Sequence, residues 1–79
     1  RNQVFFGATV TFLRKDEKLT VTIVGIDEAN MAENKISWLS PVARALMKAR
    51  PGDEVELKTP SGKDVIEVLE VRYINSLPL

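Results

Sequence analysis

Apolar and polar residues alternate over residues 9–13, Thr-Val-Thr-Phe-Leu, and again over residues 19–24, Leu-Thr-Val-Thr-Ile-Val. A period of two in β-branched and aromatic residues predicts strands, and the charged run Arg14-Lys15-Asp16-Glu17-Lys18 between them is of hairpin length. Antiparallel pairing would turn Val10 and Phe12 to one face, with Leu19, Val21 and Ile23 also inward. Residues 27–35 lose the alternation and read as a polar loop with a helical turn, before a short strand over residues 35–38. The period then changes to that of a helix. Val42, Ala45, Leu46 and Ala49 form one apolar stripe, with Arg44 and Lys48 on another face. Ser40 is suited to cap the helix and Pro41 to open it, since the missing proline donor costs nothing in the first turn. Arg50-Pro51-Gly52 predicts the stop.

A helix over residues 41–49 spans only about 13 Å, too short to be stable alone, so it must dock on the sheet. Residues 53–58 alternate again with Val55 and Leu57 inward, Thr59-Pro60-Ser61-Gly62 fits a type I turn, and residues 65–74 make the longest strand. In that strand the apolar phase shifts. Val65, Leu69, Val71 and Tyr73 share one face while Ile66, Val68 and Ile74 take the other, which calls for burial on both sides or for a bulge. The expected fold class is α+β, a twisted antiparallel sheet curled over one short helix.

The chain has 79 residues, enough for one small domain with a compact core and no large cleft. Its 11 basic and 11 acidic residues cancel, so it carries no general attraction to nucleic acid or to an anionic membrane. Without Cys or His there is no disulfide framework, and the usual zinc and iron ligand sets are missing. No apolar run approaches a membrane span, and the expected setting is soluble and cytoplasmic. A chain opening on Arg1 rather than Met reads as part of a longer protein. On that reading residues 1–7 are the end of a linker, residues 8–74 the domain and residues 75–79 a frayed tail.

Catalytic chemistry is hard to find. The acidic pairs Asp16-Glu17, Asp27-Glu28 and Asp53-Glu54 fall where solvated turns are expected, and adjacent carboxylates there point apart. Ser37, Ser40 and Ser61 have no histidine to activate them. Gly25 and Gly52 read as turn residues, not as a phosphate-binding loop. Arg44, Lys48 and Arg50 form a small basic cluster, but no aromatic groups are interleaved with them for stacking on bases. The expectation is a non-enzyme that needs no cofactor or metal and has no sequence-specific nucleic-acid contact.

Trp38-Leu39-Ser40-Pro41 stands apart. On one reading Trp38 and Leu39 finish a core strand and Ser40-Pro41 only caps the helix. On the other, strand neighbours point to opposite faces, so at least one of Trp38 and Leu39 is exposed beside a rigid corner. An apolar group held that way is a good protein-binding anchor because little entropy is lost on docking.

The run Ile36-Ser37-Trp38-Leu39-Ser40-Pro41-Val42-Ala43-Arg44-Ala45-Leu46, followed by Gly52-Asp53-Glu54-Val55, Thr59-Pro60-Ser61-Gly62 and Glu67-Val68-Leu69-Glu70-Val71-Arg72-Tyr73-Ile74, resembles the C-terminal domain of the GreA/GreB transcription elongation factors. The resemblance implies an FKBP-like fold. It also implies docking on bacterial RNA polymerase at the rim of the secondary channel, against a coiled coil of the beta-prime subunit. The partner-binding residues carried over are Ser40 and Pro41, with Leu39 beside them where many relatives have a polar or acidic residue. In the family, acidic residues at the tip of an N-terminal coiled coil stimulate transcript cleavage, and nothing in this sequence matches them. The alternatives are a Rnk-like or inhibitory relative that reaches the channel without promoting cleavage and, on fold alone, a peptidyl-prolyl isomerase.

Overall fold

In a computed structural model, which describes residues 3–73, two tight hairpins supply most of one sheet. The first joins β1 (Thr9–Arg14) to β2 (Glu17–Val24) and the second joins β4 (Glu54–Thr59) to β5 (Gly62–Arg72). A third short strand, β3 (Lys35–Ser37), and the helix α1 (Pro41–Leu46) lie between them in sequence. The strand order is β3-β2-β1-β5-β4, with β1 and β5 antiparallel at the centre. The proposed tail over residues 75–79, and Ile74, lie outside the described residues.

One strand departs from the expected all-antiparallel sheet. β3 runs parallel to β2, with Ile23 opposite Ile36 and Val24 opposite Ser37. The intervening chain is not a hairpin: it makes two short 3-10 turns, Ile26–Glu28 and Met31–Glu33, and crosses back to the end of β2 from which it can re-enter in the same direction. The sheet is therefore mixed.

The phase shift in β5 is a bulge. Thr11 pairs with Glu70 and Phe12 with Val68, which leaves Leu69 as the extra residue. Ile66 and Val68 point inward before it and Val71 after it, while Val65 and Leu69 remain exposed. These inward residues close over Val10, Phe12, Ile23 and Leu57, and over Ala43 and Leu46 of the helix. On the opposite face, threonine hydroxyls pair across β1 and β2, Thr9 with Thr22 and Thr11 with Thr20, each at 3.0 Å.

The helix stops earlier than the expected residue 49. Its last helical residue is Leu46, and Lys48 takes a left-handed conformation at φ 71°. The cause is a competing partner: the Lys48 amide donates to the Val4 carbonyl at 2.8 Å and the Val4 amide to the Ala49 carbonyl at 2.9 Å. Val4 is fully buried, so the packed unit begins inside the stretch expected to be linker, ahead of residue 8. Ala43 also fills a core position that the apolar stripe did not include.

Candidate docking surface

The corner between β3 and α1 is fixed by backbone and hydroxyl hydrogen bonds. β3 makes its last pairing when the Trp38 amide donates to the Val24 carbonyl at 2.9 Å. The Ser40 amide then donates to the Ser37 carbonyl at 2.9 Å, closing a four-residue turn. Inside it the Ser37 hydroxyl accepts the Leu39 amide at 3.0 Å. Trp38 and Leu39 are thus the two central residues of a turn, not strand neighbours on opposite faces. Both project, at 44% and 48% exposure.

Ser40 then starts the helix. Its backbone is extended, its hydroxyl accepts the Ala43 amide at 3.2 Å, and its carbonyl accepts the Arg44 amide at 2.9 Å. Pro41 occupies the first turn and is exposed. Of the three residues expected to bind a partner, Leu39 and Pro41 offer their side chains outward. The half-buried Ser40 has its hydroxyl engaged in the cap, so its part is to hold the other two in place.

The structure adds Arg44 and Met47 to this surface. Trp38, Leu39, Arg44 and Met47 line one surface groove. A second groove, lined by Pro41, Arg44, Ala45, Glu56, Leu57 and Lys58, runs between α1 and β4. Arg44 borders both. The spacing of Pro41, Arg44 and Met47, three residues apart each time, carried this signal, since such positions share one side of a helix.

The rest of the surface is less convergent. The groove between the sheet and α1 is lined by Phe12 as its one aromatic, among Leu19, Val21, Met31, Ile36 and Val42. Phe6 is exposed, and Tyr73 bonds the backbone of Gln3 and Phe5. No group of three or more Asp, Glu, His or Cys among the described residues is arranged to hold a metal. Among the described residues no helix is long and apolar enough to cross a membrane. Asp64 carries the densest cluster of charged contacts among the described residues: its Oδ2 receives Arg14 Nε at 2.8 Å and Nη2 at 2.6 Å while Lys15 approaches Oδ1 at 3.6 Å. The Arg14 hydrogen bonds, with help from Lys15, hold that carboxyl below the usual range.

Comparison with known proteins places this geometry in context. Residues 1–73 match the model of the family described as "Transcription elongation factor, GreA/GreB, C-term". The chain is 64% identical over 74 residues to the transcription elongation factor GreB of Neisseria meningitidis, covering 92% of this chain and 45% of that protein. It is 50% identical over 72 residues to the GreA of Francisella tularensis, covering 89% and 45%. Among solved structures, Gfh1 of Thermus aquaticus aligns with a TM-score of 0.79 at 35% identity, over 89% of this chain and 48% of that one. A GreA/GreB factor from Nitrosomonas europaea aligns at 0.73 and 32% identity, over 91% and 62%. The chain spans less than half the length of these curated relatives.

Proposed function

This chain belongs to the GreA/GreB family of transcription elongation factors, in the part formed by their C-terminal domain, and from that premise we propose that it docks bacterial RNA polymerase through the corner at Leu39, Ser40 and Pro41. The observation that carries the reading is the turn that presents Trp38 and Leu39 together beside Pro41. A rigid apolar prow loses little freedom on binding, which is what an anchor for a large partner requires.

The partner in this reading is the coiled coil of the beta-prime subunit at the rim of the secondary channel. The full-length protein rescues backtracked complexes by stimulating transcript cleavage in the polymerase's own active site, within the cytoplasm. This domain then acts by binding and does no chemistry itself. The curled sheet over a short helix is compatible with an FKBP-like assignment. The sparse aromatic lining around Phe12 gives a prolyl isomerase little to work with.

A second reading is a Rnk-like or inhibitory relative that occupies the same site without promoting cleavage. It is favoured by Leu39, which offers apolar contact at a position where many relatives are polar or acidic. The test is a transcript-cleavage assay on backtracked complexes with the full-length protein, run beside binding to core polymerase with and without the tip of the beta-prime coiled coil. Binding lost with the tip, plus stimulated cleavage, supports the first reading. Tip-dependent binding without cleavage supports the second, and tip-independent binding overturns both.

A further inference from the structure

Arg44 is exposed on α1 at the point where the two grooves of the docking surface meet. Its neighbours on one side are Trp38, Leu39 and Met47, and on the other Pro41 and the aliphatic wall of Ala45 and Leu57. Arg14, Lys15, Lys35, Lys63 and Arg72 all pair with carboxylates, whereas among the described residues Lys18, Arg44, Lys48 and Arg50 have no ion pair, and of these four Arg44 is the one that borders both grooves. Lys58, across the second groove, has none either, and Glu56 beside it is drawn to Lys63 at 3.9 Å. A guanidinium set in apolar surroundings and left without an anion has its donors ready for an incoming acceptor.

We propose that Arg44 is the charged centre of the docking surface and that it pairs with an Asp or Glu carboxylate of the partner, next to an apolar partner side chain seated between Trp38, Leu39 and Met47. The occupant is therefore an acidic amphipathic segment of protein, helical if its apolar and acidic groups repeat at helical spacing. This rests on the docking reading above and adds the chemistry of the partner. A phosphate of RNA is the alternative anion, but the apolar flank of the groove and the chain's zero net charge favour a carboxylate beside hydrocarbon.

The test measures affinity of the full chain for bacterial core RNA polymerase, across a salt series, for wild type, Arg44→Gln, Arg44→Lys and Leu39→Ala, with a thermal melt of each. Arg44→Gln should weaken binding about tenfold and flatten its salt dependence without moving the melt, and Arg44→Lys should retain part of the affinity. If Leu39→Ala weakens binding while both Arg44 variants match wild type, the role of Arg44 is overturned and the docking reading stands. If none of the three changes affinity, the docking surface itself is refuted. Loss of single-stranded RNA binding by Arg44→Gln, with polymerase affinity unchanged, would overturn the proposal in favour of a phosphate.

Discussion

The Phe5 amide donates to the phenolic oxygen of Tyr73 at 2.9 Å, joining residues 68 apart in sequence at the two ends of the described fold. The Tyr73 hydroxyl in turn donates to the Gln3 carbonyl. With Val4 exchanging hydrogen bonds with Lys48 and Ala49, this bridge holds the first residues onto the domain. Tyr73→Phe removes both bonds of the hydroxyl and should cost roughly 1 to 2 kcal/mol. Thermal denaturation should show the loss, and the Phe5 amide should exchange with solvent faster than in the wild type.

Asp64 makes stability depend on acid. Its carboxyl lies below its ordinary value in the folded chain, chiefly because Arg14 hydrogen-bonds it, and returns to about 3.9 on unfolding. The folded state thus binds this proton less readily than the unfolded state. The contribution is complete above the unfolded value and is lost as pH falls through it toward the lower folded value. Asp64→Asn should be less stable than wild type near neutrality, with the gap narrowing below about pH 4. Denaturant melts at both pH values check the sign.

The first hairpin turns on Lys15 and Asp16, both left-handed at φ 53° and 66°. Such a two-residue turn suits the twist of the strands but is uncomfortable for residues with a Cβ. Asp16→Gly should stabilise the chain by about 0.5 to 1 kcal/mol, raising the melting midpoint by a few degrees. An unchanged or lower midpoint would contradict this account of the turn.

Ser40 has one hydroxyl bond to lose. Ser40→Ala should cost about 1 kcal/mol through the cap and leave the sheet intact by circular dichroism. Because Ser40 also fixes the corner, polymerase affinity should fall more than stability does.

Much of this fold could be read from local chemistry. Ser40-Pro41 announced the helix start, alternation marked the strands, and the changed apolar phase of β5 called for either burial on both faces or the bulge that is found. What was hidden depended on distant partners. The helix ends at Leu46 because Val4, far back in the chain, takes the amide of Lys48. β3 is parallel because a 3-10 crossover, which apolar periodicity does not encode, sets its direction. The Pro-fixed corner indicated that at least one of Trp38 and Leu39 is exposed, and Ser40 and Pro41 entered through the family resemblance, whereas the turn that frees both Trp38 and Leu39 required the Ser37 bonds to be seen. Arg44 and Met47 joined the surface only when the grooves beside α1 were formed.

The most direct test of the docking corner is the affinity of the full chain for core RNA polymerase when Leu39 and Pro41 are replaced together, as Leu39→Ser with Pro41→Ala. Both side chains lie at the surface, so the double variant should melt within a few degrees of wild type. The account predicts that it binds at least about tenfold more weakly. Wild-type affinity in a folded double variant would contradict it.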